Sequence, residues 1–269
     1  MQLQIGAMSV GDILDRGLKV LFRRLPTFYL VNLLTLAPII TLQAAFPEWW
    51  LPNPRPDAML RVMGATLLLL AATVMLQPFA AAATLYVVAR EFSGQRAGMG
   101  AAFVFALRRF LSLLAASFLF GVIFMAGWAM CCVPGILFAV WFLFVGQAVV
   151  VEGRGPIRAL GRSMELTEGY RWRVFGVCVL LGIAYYVSGS VAGILAAVLP
   201  PTEFVRTDRG PDFVVNYQHY YLSLTVQTLG KILVQTFGAV CVTLLYFDLR
   251  IRKEGLDLEL AARRQASIV

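Results

Sequence analysis

The stretch Leu111–Met130, LSLLAASFLFGVIFMAGWAM, is followed after only Cys131–Pro134 by Gly135–Val151, GILFAVWFLFVGQAVVV. Neither segment holds a charged residue, and the pair is bounded by Arg108-Arg109 before it and Glu152-Gly153-Arg154 after it. About 20 helical residues at about 1.5 Å rise each match a hydrocarbon core of about 30 Å. So short a connection makes the two segments a tight antiparallel hairpin of membrane-spanning helices.

Working outward, four further spans appear at 27–46, 63–88, 174–199 and 221–246, which with 111–130 and 135–151 make six. Pro38 and Pro78 interrupt the first two and should kink them. The fold class is all-α: one polytopic membrane domain over residues 1–269. Fifty-nine per cent hydrophobic and 14% charged residues, with a mean hydropathy of +0.76, exclude an ordinary soluble domain.

The basic residues are sorted. Of 23 Lys and Arg, 18 lie in the N-terminus, the second and fourth connections and the C-terminus; four lie in the other connections, and Lys231 lies inside the last span. By the positive-inside rule both termini are cytoplasmic. No cleavable signal peptide is expected, because charges interrupt the first 25 residues. Trp49, Trp50, Trp128, Phe213, Tyr217, Tyr220 and Tyr221 mark the opposite interface. The net charge of +8 could suggest nucleic acid, but the cations cluster beside apolar spans. Anionic lipid headgroups are the expected partner, with a membrane or cytoplasmic protein as another, and no nucleic acid.

The cytoplasmic connections carry helices of their own. Val10, Ile13, Leu14, Gly17, Leu18 and Leu21 form an amphipathic stripe, and Ser9 with Asp12 a capping box at its start. A second helix runs from Pro156 to a stop at Gly169, with Ile157, Leu160, Gly161 and Met164 as its stripe. Gly98–Arg109 is a weaker third. Such helices suit the membrane interface. Aligned, these features suggest three repeated hairpins, each preceded by a cytoplasmic interfacial helix. Each hairpin opens on a basic pair (Arg23-Arg24, Arg108-Arg109, Arg171-x-Arg173) and closes on an acid (Glu91, Glu152, Asp248). Charge alternation alone would also impose this pattern, so both readings stand.

Chemistry-bearing groups are few. Lys231 has Gln227 and Gln235 four residues either side, on one helix face, and no acid within any span. A charge at mid-bilayer costs about 2.5–3.5 kcal/mol on insertion scales, so the lysine should meet protein, water or an anion. Lys231, Gln227, Gln235, Gln77 and Gln147 are the candidate intramembrane polar site, with satisfaction by glutamines or carbonyls as the plainer role. Arg23, Arg24, Arg108, Arg109, Arg171, Arg173, Arg250 and Arg252 are the candidate headgroup contacts. Glu165, Glu168, Asp248, Glu254, Asp257 and Glu259 read as solvated ion-pair partners of the rim. Gly189-x-x-x-Gly193-x-x-x-Ala197 offers a small-residue face for packing within the chain.

Cys131, Cys132, Cys178 and Cys241 read as small buried residues. With His219 the only histidine, neither a histidine triad nor a multi-histidine metal site can be assembled. Gly98-x-Gly100 lacks the strand and third glycine of a dinucleotide site. No cofactor, metal or catalytic residue is expected.

Three motifs carry a resemblance: Ser9-Val10-Gly11-Asp12-Ile13-Leu14-Asp15, Ala159-Leu160-x-Arg162-Ser163-x-x-Leu166-Thr167-x-Gly169, and Leu245 through Asp257, LYFDLRIRKEGLD. Together they make nearly the full chain similar to the bacterial glycerophosphoryl diester phosphodiesterase membrane-domain family. In some members a soluble barrel of about 250 residues supplies catalysis, and this chain holds none. The resemblance therefore implies a six-helix protein of the bacterial inner membrane without catalytic residues. The expected function is non-catalytic, binding lipid or supporting a membrane partner. The alternative is a transporter or channel for an anionic or amphiphilic solute, with Lys231 lining the path.

Overall fold

The computed structural model describes residues 8–46, 56–92, 98–130, 132–200, 202–207 and 210–255. Its helices are α1 Val10–Arg23, α2 Leu25–Ala45, α3 Pro56–Phe92, α4 Met99–Met130, α5 Cys132–Trp141, α6 Val145–Val151, α7 Pro156–Thr167, α8 Arg171–Val198 and α9 Tyr217–Glu254. Strands β1 Thr202–Thr207 and β2 Gly210–Val215 pair antiparallel, with Thr202 opposite Val215. Among the described residues six segments are long and apolar enough to cross a membrane, with α5 and α6 together forming the fourth. The protein is an all-α, multi-pass membrane protein.

The chain forms two compact units. The first comprises Met1–Val31, Pro78–Leu181 and Thr236–Val269; the second comprises Asn32–Gln77 and Gly182–Gln235.

In the first unit α4 packs on α5, α6 and α7, and α6 on α7. The hairpin of α4 and α5 is as tight as the four-residue connection requires. A Cβ built on Gly135 would lie 2.7 Å from the Trp128 ring, so the helices cross where a side chain is missing. The fourth span is not one helix. It breaks over Phe142–Phe144, and Ser163 of α7 bridges the break. The Ser163 hydroxyl donates to the Trp141 carbonyl at 2.7 Å and accepts the Phe144 N–H at 3.0 Å. A buried backbone gap of this kind is tolerated because a neighbouring side chain supplies the missing partners.

Helix α1 starts where its cap requires. Ser9 Oγ accepts the Asp12 N–H at 3.1 Å, and Asp12 returns the bond to the Ser9 N–H at 2.9 Å. Hydrogen bonding to the Asp12 carboxyl from the Ser9 side chain, and next from the Ser9 N–H, holds it below the usual carboxylate value. Much of the helix's apolar face is turned to protein, while Leu18 of the expected stripe stays 45% exposed. Ile13, Gly17, Val20 and Leu21 are buried, and a Cβ on Gly17 would stand 2.6 Å from Cys241 Sγ on α9. The stripe is a packing face for α9.

Helix α7 begins at Pro156 and is followed by Gly169 at φ +80°, as expected. Its buried face is Ala159, Leu160, Ser163, Leu166 and Thr167, whereas Ile157, Gly161 and Met164 of the expected stripe are exposed. The third interfacial helix is also corrected. Gly98 precedes the helix, and residues 99–109 are the opening turns of α4 itself, since no Gly or Pro separates Arg109 from Leu111.

In the second unit Tyr220 is buried and donates to the Gln43 carbonyl, so its ring packs within the protein. Tyr221 and Tyr217 are exposed. The β-hairpin is unanticipated, although the β-branched and aromatic residues around Asp208-Arg209-Gly210 carry a hairpin signal. Nothing lies within 4 Å of a Cβ built on Gly189 or Gly193, so that face packs on no described part of the chain. Helices α2 and α3 continue through Pro38 and Pro78. Trp49, Trp50 and Cys131 lie outside the described residues, as do Asp257 and Glu259.

Candidate functional site: an ionic lattice and the arginines it leaves out

Each hairpin closes on itself through its basic pair. At the start of α2, Arg24 donates from Nε to Glu91 at 3.1 Å, where α3 ends, and Arg23 stands 3.8 Å from the same carboxylate. Arg109 on α4 donates to the Gly153 carbonyl at 3.4 Å, just past the end of α6. Arg173 on α8 lies 3.0 Å from Asp248 on α9. The repeat inferred from charge order thus has a physical content: the first residues of each outgoing span bind the last residues of the returning one.

Around the second closure a lattice grows. Glu152 accepts Arg162 Nε at 2.9 and 3.0 Å, Arg154 Nε at 2.6 Å and the Tyr246 hydroxyl at 2.5 Å, with Arg250 at 3.8 Å. Arg162 also reaches Glu254, which pairs with Arg250 at 2.8 Å. Burial opposes the Glu152 charge. The Tyr246 and Arg162 hydrogen bonds and the Arg162 and Arg250 charges outweigh it and hold the carboxyl below its ordinary value. Burial likewise opposes the Arg162 charge, but Glu254 and Glu152 raise its pKa further.

The third closure is the most enclosed. Asp248 is 0% exposed, which corrects its reading as a solvated rim acid. It accepts the Met8 N–H at 2.7 Å, Arg252 Nε at 3.1 Å and Arg173. Arg252 donates to the Met8 carbonyl at 3.0 Å, and Arg173 reaches the same oxygen. The backbone N–H of Met8 is thus held by an aspartate and its C=O by two guanidinium ions. Sequence reasoning misses Met8 and Tyr246, because neither carries a charge and their partners lie far along the chain.

Of the eight arginines expected at headgroups, Arg24, Arg109, Arg173, Arg250 and Arg252 are turned to these internal partners, and Arg23 leans on Glu91 while largely exposed. Arg108 and Arg171 are exposed and have no acidic partner among the described residues. Arg171 lies 5.0 Å over the Trp141 ring. Arg158, absent from the sequence selection because it belongs to no basic pair, joins them as a third exposed arginine without an acid.

Each of the three sits beside a large apolar side chain that is almost bare. Arg108 is flanked by Leu107 at 69% and Leu111 at 76% exposure, Arg158 by Ile157 at 78%, and Arg171 by Trp172 at 85%.

The intramembrane candidates divide between the units. Gln147 is buried on α6 in the first unit. Gln77, Gln227, Lys231 and Gln235 lie in the second. There Gln235 donates to Gln77 at 2.7 Å and Gln227 to Ser223 at 2.9 Å. Lys231 is exposed, with no hydrogen bond or ion pair among the described residues. Among these residues no cluster of His, Cys, Asp and Glu suited to a metal occurs.

A family model described as a domain of unknown function, DUF7847, matches residues 69–249, more than half of the chain. No curated protein and no solved structure matches it.

Proposed function

The chain belongs to the DUF7847 family, and we propose that it is a non-catalytic membrane protein that binds anionic lipid headgroups through Arg108, Arg158 and Arg171. The observation that carries this reading is the pairing, three times over, of an acid-free guanidinium with a bare leucine, isoleucine or tryptophan. An apolar anchor beside a cation suits the boundary between acyl chains and headgroups, where the anchor enters the hydrocarbon and the cation meets phosphate. Near an anionic surface each basic residue contributes about 1 kcal/mol, so three supply about 3 kcal/mol of preference for anionic lipid.

The surrounding lattice supports a framework role for the other charges. Asp12, Arg162, Ser163, Asp248, Arg250, Arg252 and Glu254, all from the three motifs that resemble the glycerophosphoryl diester phosphodiesterase membrane-domain family, are engaged in caps, bridges and ion pairs. That use favours kinship through a common scaffold rather than a common reaction. The sorted charges of the sequence support a bacterial cytoplasmic membrane, with both termini and the three arginines on the inner side.

The test is thermal unfolding of the detergent-solubilised protein with added phosphatidylglycerol or phosphatidylcholine. The midpoint should rise more with phosphatidylglycerol, and Arg108→Gln/Arg158→Gln/Arg171→Gln should abolish that difference while keeping the midpoint in phosphatidylcholine. Equal responses to the two lipids in the unsubstituted protein contradict the proposal.

A further inference from the structure

The second unit sets a row of polar side chains on α9, one of them the exposed Lys231, and bonds that row to a glutamine of α3. On α9, Ser223, Gln227, Lys231 and Gln235 follow at four-residue intervals, which places successive side chains about 5–6 Å apart along one face. From α3, Gln77 accepts the Gln235 amide N–H at 2.7 Å. From α8, Ser188 approaches where α9 has no side chain: a Cβ built on Gly230, next to Lys231, would stand 3.2 Å from its hydroxyl.

The donor inventory of this cluster is lopsided. Gln235 donates one amide N–H to the Gln77 carbonyl oxygen, which leaves the Gln77 N–H₂ group for a further acceptor. Lys231 adds three N–H donors and one positive charge. Among the side chains described in the second unit the one carboxylate is Glu203, which lies on β1 and is engaged by Asn216. Lys231 lies about 21 Å along the helix axis from Tyr217. It is therefore on a segment apolar enough to enter the bilayer, where an uncompensated ammonium is strongly disfavoured.

We propose that Lys231 and Gln77, the latter held by Gln235 one helical turn from Lys231, form an oxyanion site that takes a phosphoryl group. The ammonium supplies the countercharge, and the Gln77 amide a second, directional donor to another phosphoryl oxygen. Gln235 holds Gln77 in place through its hydrogen bond, and Gln227 is held back by Ser223. A phosphoryl group of this kind can belong to a lipid headgroup or to a free phosphate ester in water. The site is separate from the three arginines of the first unit and does not depend on their role.

Two variants test it, Lys231→Met, which keeps the apolar stem and removes the charge, and Gln77→Leu, which removes the second donor. Native mass spectrometry in a defined mixture of phosphatidylglycerol and phosphatidylcholine reads the lipid arm. Titration with inorganic phosphate and glycerol 3-phosphate, followed by isothermal calorimetry, reads the soluble arm. A loss of at least about tenfold in either affinity on Lys231→Met, with a smaller loss on Gln77→Leu, supports the site and identifies its source. Made in the Arg108→Gln/Arg158→Gln/Arg171→Gln background, where the arginine sites no longer contribute, Lys231→Met should cost the same factor, so this site and the arginine sites succeed or fail separately. Unchanged affinities in both arms for a folded Lys231→Met protein, with helicity by circular dichroism as the check, overturn the proposal. Should that variant not fold, Lys231→Arg must retain binding, and its failure to bind would equally overturn it.

Discussion

Asp248→Asn should be among the most damaging isosteric substitutions in the first unit. The side chain is 0% exposed, and its carboxylate faces Arg173 and Arg252, whose side chains are 20% and 27% exposed. Asparagine keeps the shape and one oxygen for the Met8 N–H, but it removes the only charge opposing two guanidinium ions in this clamp. Breaking a buried ion pair from one side costs about 3–5 kcal/mol. The partial exposure of both arginines screens the repulsion, so the lower end, about 3 kcal/mol, is expected. That is roughly a 150-fold fall in the ratio of folded to unfolded protein. The assay is reversible unfolding in mixed micelles titrated with a denaturing detergent. Adding Arg173→Gln and Arg252→Gln should recover part of the loss, because no uncompensated cation then remains. A shift below about 0.5 kcal/mol for Asp248→Asn, or a triple variant worse than the single, refutes the reasoning.

Other outcomes follow from single contacts. Gly17→Ala places a methyl 2.6 Å from Cys241 Sγ and should cost about 1–3 kcal/mol by overpacking, with Cys241→Ala restoring most of it in the same unfolding assay. Ser163→Ala leaves the Phe144 N–H without its partner at the break in the fourth span, a loss of about 1–3 kcal/mol. Hydrogen exchange should accelerate at Phe144 itself. Glu152 has a lowered folded pKa, so its stabilisation is complete above the ordinary glutamate value of 4.5 and is lost as pH falls through the folded value. The stability advantage over Glu152→Gln should therefore be flat at neutral pH and shrink below 4.5, and a pH-independent difference would count against the lattice.

What is legible in the sequence is what local chemistry decides. The six spans follow from apolar length, the start of α1 from Ser9 and Asp12, and the start and stop of α7 from Pro156 and Gly169. The charge order also announces the hairpin closures, since Arg23-Arg24 with Glu91 and Arg173 with Asp248 occupy matching places. Which face of an amphipathic helix meets protein is not local. Ile13 and Gly17 read as a lipid-facing stripe until α9 brings Cys241 against them, and on α7 the stripe of Ile157 and Met164 gives way to Ala159 and Ser163. The break in the fourth span is invisible because its cause, Ser163, sits on another helix. Sorting the arginines is beyond pattern for the same reason. Arg173 and Arg171 differ by two residues, yet one is clamped to Asp248 and the other lies exposed over Trp141.

The claim that three arginines outside the lattice serve lipid is tested most directly by the annular lipid itself. The protein and its Arg108→Gln/Arg158→Gln/Arg171→Gln variant would be extracted from one membrane as native nanodiscs and their lipids quantified by mass spectrometry. The unsubstituted protein should be enriched in anionic lipid over the bulk membrane, and the variant should lose most of that enrichment. Identical lipid profiles for the two proteins would contradict the account.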